Sequence, residues 1–236
     1  MARCSVTSAG LTIAGPVAVL SPFGLEGAGV RLEPLSLDHA EALAAAAAGA
    51  RDSFGYTWVP DGLADARRYV QAALADRDAG RTVPFAIRTR MGHRIVGSTR
   101  FLDLEVFRWP PPWPPGAGRG PVPSDGQPPV VAEIGSTWLA PPAQRTGVNA
   151  ECKLLMLRHA FDVWSVLRVT LKTDARNQAS RTAIERLGAT FEGVRRAHSA
   201  ASDGTIRDTA YYSILRLEWP GVCDRLQREV RERASS

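Results

Sequence analysis

The sequence predicts an α/β (α+β) fold: a mixed central sheet of about seven strands interleaved with helices in the order βααβββαβαββ. Three observations carry that expectation. Short β-rich runs are bounded by turn residues, alanine- and leucine-rich runs at helical spacing lie between them, and one strand-like run passes through a glycine turn directly into a long helix. A hydrophobic share of 44% against 22% charged residues argues against wholesale disorder or a fibrous chain. At 236 residues the chain is long enough to bury a core, and it reads as one domain with extensions.

The elements follow in order. Residues 30–35 (VRLEPL) alternate as a short strand, and Ser36 stands as an N-cap before an alanine-rich helical run to about residue 48. A second helix follows the turn at 60–62, with Leu63, Ala66, Tyr69, Val70 and Ala73 near helical spacing. Residues 84–90 and 94–104 are β-rich runs joined by Met91, Gly92 and His93, a hairpin with a short glycine-containing loop. Residues 130–139 (VVAEIGSTWL) form the next strand, leading to a helix that carries Leu154, Leu157, Phe161 and Trp164 on one face. Then come a strand at 167–173, a helix at about 178–187, and two strands flanking an Asp203-Gly204 turn.

Residues 108–129 are proline-rich and fit neither a helix nor an interior strand, because proline removes amide donors and fixes φ. They read either as a solvated or disordered segment or as a substrate-gating flap carrying Trp109 and Trp113. The tail reads as a charged helix, on the surface or in dimerisation. The expected organisation is an N-terminal extension at 1–29, a domain at 30–219 with the insertion at 108–129, and a C-terminal helix and tail at 220–236.

Composition narrows the function classes. The net charge of +5 comes from scattered arginines with no nucleic-acid-binding signature, so no nucleic-acid partner is expected. Cys4, Cys152 and Cys223 have no C-x-x-C spacing and the four histidines are dispersed, so neither a disulfide framework nor a metal site is expected, and the compartment reads as reducing. The apolar stretch near the N-terminus is broken by Gly15 and Pro16 and is shorter than the ~20 residues that span a bilayer. A cytoplasmic protein without a membrane partner is the expectation.

The informative stretch is WLAPPAQRTGVNAECKLLMLRHAF. A strand, a turn with Gly147 and then a helix put unpaired amides into a shared space, where the partial positive charge of the helix start favours phosphate. The turn lacks the ending of a P-loop, it is not G-x-G-x-x-G, and G-x-S-x-G is absent from the chain.

The run EIGSTWLAPPAQRTGVNAECKLLMLRHAF, followed by RVTLKTDARNQASRTAIERLGATFEG, resembles the GNAT superfamily of acyl-CoA-dependent N-acyltransferases, of the type that includes the RimJ/RimL ribosomal-protein acetyltransferases. The resemblance spans roughly residues 30–219. It implies a GNAT fold, with helices on both faces and a sheet splayed between the fourth and fifth of the expected strands. It implies acetyl-CoA, or another acyl-CoA, as donor with no metal, and direct transfer to a primary amine in a ternary complex. Gln144, Gly147 and Asn149 occupy the family's [RQ]-x-x-G-x-[GA] turn, in which backbone amides hold the CoA pyrophosphate. The amides of Arg145, Thr146, Gly147, Val148, Asn149 and Ala150 are the implied contacts, with Arg145 adding charge. Asn149 departs from the pattern and is expected to cap the helix with its side chain.

By the same resemblance Asn177 would hydrogen-bond the pantetheine arm, and Ser180 would sit near the thioester sulfur as the acid. Backbone amides near Trp138 and Leu139 would polarise the thioester carbonyl. The family's frequent tyrosine is absent, with Ile184 in its place. Glu133, alone among acids in VVAEIGSTWL, is the first candidate for the base, and His198, which titrates near neutrality, is the second. The acceptor stays open between a small-molecule amine and a protein N-terminus, and a homodimer through the tail stays open too. The competing readings are a non-catalytic acyl-CoA sensor, motivated by Asn149 and the missing tyrosine, and a nucleic-acid binder.

Overall fold

A computed structural model describes residues 21–107, 119–121 and 128–234. Nine strands make one sheet among these residues: β1 (Leu25–Glu26), β2 (Val30–Pro34), β3 (Val83–Thr89), β4 (Ile95–Phe107), β5 (Arg119–Pro121), β6 (Val131–Leu139), β7 (Arg168–Asp174), β8 (Thr190–Ala200) and β9 (Ile206–Leu215). The helices are α1 (Ala40–Ala47), α2 (Gly62–Asp78), α3 (Val148–Arg158), α4 (Gln178–Arg186) and α5 (Trp219–Ala234).

The strand order is β1-β2-β3-β4-β6-β7-β9-β8, with β5 hydrogen-bonded to β4. Pairing is antiparallel except between β6 and β7. The expected order of elements holds, with one correction to the strand count. The two additional strands, β1 and β5, span two and three residues, too short for a periodic signal.

The sheet is splayed where the resemblance implies. β6 and β7 pair at Val131↔Arg168, Ala132↔Val169 and Glu133↔Thr170, then part, while β7 continues on β9 as far as Asp174↔Thr209. A parallel pair that ends at Glu133 leaves the rest of β6 facing an opening.

Alternation along the strands distributes side chains to two faces. Val83, Phe85 and Ile87 of β3 join Phe101, Ile134, Met156, Leu157 and Phe161 in the larger core, under α3, α4 and α5. Ala86 of β3, with Leu35, Leu43, Val70, Ala73 and Trp138, forms the smaller core under α1 and α2. Helices therefore cover both faces.

The first helical run starts as a single 3-10 turn, Leu37–His39, before α1. His39 Nδ1 accepts from the Ser36 amide at 3.1 Å, and its Nε2 lies 3.2 Å from Glu33 Oε2, so the ring locks the chain's entry to the helix. In α2 the buried positions are Ala66, Val70 and Ala73, as the spacing predicts, while Leu63, in the first turn, is exposed.

α5 lies on the surface with one face buried. Trp219, Val222 and Leu226 are buried, Trp219 stacks on Phe161 at 5.3 Å, and its Nε1 donates to Asp162 Oδ1 at 2.8 Å. Their helical spacing gives one apolar stripe that the charged remainder of the tail obscures in the sequence. Of the proline-rich segment 108–129, residues 108–118, with Trp109 and Trp113, and 122–127 lie outside the described residues, as does the apolar stretch before residue 21; residues 119–121 form β5.

Candidate active site

The opening between β6 and β7 is continuous with a cleft of about 1140 Å³. Its wall includes Glu133, Trp138, Leu139, Gln144, Arg145, Gly147, Asn149, Ala150, Asn177 and Ser180, ten of the residues expected at the site. Thr146, Val148 and His198 do not line it.

Gly147 is the N-cap of α3, with φ of 95°, a left-handed conformation that glycine adopts without steric penalty. Arg145 is also left-handed, at φ 62°. The resulting turn presents its backbone outward: none of the amides from Arg145 to Ala150 donates to a protein acceptor among the described residues. The expected capping by Asn149 does not occur. Asn149 is the second helical residue, and a side chain there projects away from the amides that a cap would serve, so those amides stay free.

Gln144 donates from Nε2 to the Leu139 carbonyl and to Ser53 Oγ, both at 3.0 Å, tying the end of β6 to the connection before α2. From α5, Arg233 Nη1 approaches the Arg145 carbonyl at 3.4 Å, bringing a second arginine to the turn.

β6 carries a bulge at the cleft. Its pairing with β4 slips between Arg100↔Gly135 and Ser98↔Trp138, so Ser136 and Thr137 oppose Thr99 alone. Ser136 has φ of 47°, a strained value for a non-glycine residue. The irregular backbone thus falls at Ser136 and Thr137, while Trp138 and Leu139 are paired with Ser98 and Gly97. Nothing in the alternation of VVAEIGSTWL announces it.

Glu133 is 5% exposed and pairs with Lys172 at 2.8 Å. Burial pushes its carboxyl up to about 7, against the pull of Lys172. Lys172 also reaches Asp103, at 3.2 Å. His198 lies further out: its Nδ1 is 2.9 Å from Thr209 Oγ1, its Nε2 is 3.2 Å from the Tyr211 hydroxyl, and Lys172 sits 5.8 Å from the Tyr211 ring. Burial, then Arg195, Lys172 and Arg207, push its imidazole below the ordinary value.

On α4, Asn177 Oδ1 accepts the Ser180 amide at 3.0 Å, an N-cap that leaves the Asn177 NH₂ group free. Ile184 is buried at 7% exposure.

Lys153 went unremarked in the sequence. One turn beyond Asn149 and Ala150 on α3, it is 4% exposed in the cleft wall, and it donates from Nζ to Thr137 Oγ1 at 2.6 Å. Burial pushes its ammonium down to about 8. Its signal was a lysine inside an otherwise apolar helical run.

Among the described residues there is no group of three or more potential metal ligands, and no helix is long and apolar enough to cross a membrane. Residues 30–190 match the family described as acetyltransferase (GNAT) domain. A curated relative from Bacillus subtilis (strain 168), a candidate ribosomal N-acetyltransferase named YdaF, is 35% identical over 91 residues, which is 38% of this chain and 48% of that protein's length. A crystal structure of a GCN5-related N-acetyltransferase from Brucella melitensis superposes with a TM-score of 0.74 at 26% identity, covering 91% of this chain and 88% of the other. RimJ of Mycobacterium smegmatis, solved in complex with CoA-disulfide, shares the fold with a TM-score of 0.64 at 20% identity, covering 92% and 93% of the two chains.

Proposed function

The chain belongs to the GNAT acetyltransferase family, and from that premise we propose that it is an acyl-CoA-dependent N-acyltransferase, moving an acetyl group to a primary amine by direct attack in a ternary complex. The observation that carries the reading is the run of unpaired amides at Arg145–Ala150, in the same cleft as a buried carboxyl that titrates near neutrality.

These amides would hold the pyrophosphate of the donor, with Arg145 adding charge, and Asn177 has a free NH₂ group for the pantetheine amides. The acyl-CoA supplies an activated thioester. Everything else is asked of this chain's own groups. Amides of the bulged strand polarise the carbonyl; Glu133 accepts the proton of the attacking amine, directly or through water; Ser180 donates a proton to the departing sulfur. His198 does not line the cleft and reaches towards Glu133 by way of Tyr211 and Lys172, so it is second to Glu133 as base. The ribosomal names of relatives favour a protein N-terminus among the acceptors. A cytoplasmic location agrees with that chemistry.

The test is a thermal-shift series with CoA, acetyl-CoA and succinyl-CoA, followed by turnover over a panel of amines. A raised melting temperature with turnover supports the reading. Binding without turnover of any amine indicates the acyl-CoA sensor instead, and no shift at saturating donor removes both.

A further inference from the structure

The α1–α2 side of the cleft holds a group of buried donors that the chemistry above leaves unused. Arg100 of β4 is 8% exposed and lines the cleft. Among the described residues it has no ion pair and no side-chain hydrogen bond, and its Nε is buried without a partner. Its guanidinium lies over the Tyr69 ring, 5.3 Å from the centroid. The Tyr69 hydroxyl is likewise buried without a partner. The Tyr69 ring meets Trp138 edge-on at 6.5 Å, and Trp138 Nε1 is a third buried group without one. All three side chains line the cleft.

A buried guanidinium without a counter-charge is costly, and buried donors are almost always satisfied. Stacking on Tyr69 offsets part of that cost. What the three side chains lack in common is an acceptor, and what the arginine lacks is negative charge. Space for one exists beside them. The cleft runs past them, and Arg100 is paired with Gly135, where a Cβ would meet Leu102 Cδ1 at 2.8 Å and Glu133 Oε1 at 3.0 Å, so glycine there is what lets the Glu133 carboxyl fold in beside the strand. Leu102↔Glu133 is the next pair on the same face, which puts Arg100 and Glu133 diagonally across the two strands, about 7–8 Å apart at the backbone.

We propose that the acceptor is an amine carrying a carboxylate a few bonds away, the carboxylate held by Arg100 with the Tyr69 hydroxyl and the Trp138 N–H, and the amine directed at Glu133. This rests on the acyltransferase reading and names the substrate class for it. The carboxylate can belong to a free amino acid or to an acidic residue next to a peptide's N-terminus.

The experiment measures acetyl-CoA turnover with acceptors that carry or lack the carboxylate: glutamate against glutaminamide, which has neither carboxylate, and C-terminally amidated peptides with Asp against Asn as the second residue. The acidic member of one pair should be favoured in kcat/KM by about tenfold or more, and which pair shows it identifies the source. Arg100→Gln should bring the ratio towards one, and Arg100→Lys should retain part of it. Because the ratio is taken within each variant, a general loss of rate does not imitate the effect. A CoA-induced rise in melting temperature in Arg100→Gln shows that the fold and donor site survive; if that variant does not fold, the wild-type ratio and Arg100→Lys decide.

Equal rates for acidic and neutral acceptors overturn the proposal while the acyltransferase reading stands. So does a ratio that survives Arg100→Gln. A preference for succinyl-CoA over acetyl-CoA that Arg100→Gln abolishes, with no acceptor preference, also overturns it by moving the anion to the donor. If no amine is turned over, the acyltransferase reading itself fails. The anion site is then read by titrating N-acetylglutamate into the CoA-saturated protein by calorimetry: binding lost in Arg100→Gln supports it, and no binding by the wild type overturns it.

Discussion

Glu133 and Lys153 are the two buried charges whose protonation most directly bears on chemistry and stability. Burial raises the Glu133 carboxyl from 4.5 to about 7, so the base form appears as pH climbs through neutrality. The rate should rise across that interval with an apparent pKa near 7, and Glu133→Gln should abolish the rising limb in a pH profile of kcat/KM; an unchanged limb removes Glu133 as base. The same shift acts on stability with the opposite sign. The folded state binds the extra proton, so this contribution is complete below 4.5 and lost as pH rises through about 7. Lys153 behaves differently. Its ammonium, depressed from 10.5 to about 8, favours the unfolded state at pH 7 by an amount on the order of 3 kcal/mol, a penalty that fades as pH rises from about 8 towards 10.5. Lys153→Met should therefore raise the melting temperature at pH 7, with the gain shrinking above pH 8, as calorimetry across that range will show.

At the scale of elements, the turn before α3 is the proposed donor site. Gly147 holds φ at 95°, and a Cβ there would approach Arg233 Cδ at 3.0 Å. Arg233 is long and able to move aside, so the backbone conformation sets the cost of substitution. Gly147→Val should destabilise by about 1–2 kcal/mol and raise KM for acetyl-CoA more than for the amine, measured by denaturation and by initial rates with each substrate varied. This turn was legible in the sequence because a glycine between a strand-like run and a helical run is a local signal. The bulge at Ser136 was not, since one extra residue set against Thr99 depends on what β4 places opposite. Asn149 does not cap for a related reason: the helix starts at Val148, two residues earlier than a cap at 149 requires, with left-handed Gly147 as its N-cap. The charges of α5 mark it as a surface helix, but the anchoring of its buried face depends on Phe161 and Asp162, far away in sequence.

At the scale of the whole molecule, one sheet serves two purposes. It carries a core on each face, and it opens beyond Glu133 so that a ligand can lie between β6 and β7. A donor that fills the opening binds the native state alone and must stabilise it. At a concentration of about 100 Kd, CoA should add about 2.7 kcal/mol, which for a chain of this size is a rise of about 5–10 °C in melting temperature. A rise of this size that disappears in Gly147→Val at the same CoA concentration locates binding at the turn; an undiminished rise in that variant locates it elsewhere.

The sequence by itself determined the order of elements and the turn at Gly147, because both are written in local spacing that survives without knowledge of partners, and its resemblance to the GNAT superfamily pointed to the family and to most of the ten expected residues that line the cleft. Only the tertiary structure decided which charges are buried. Arg100, Lys153 and Glu133 are ordinary charged residues in one dimension, and their unusual chemistry comes from what strands and helices distant in sequence remove from around them: water.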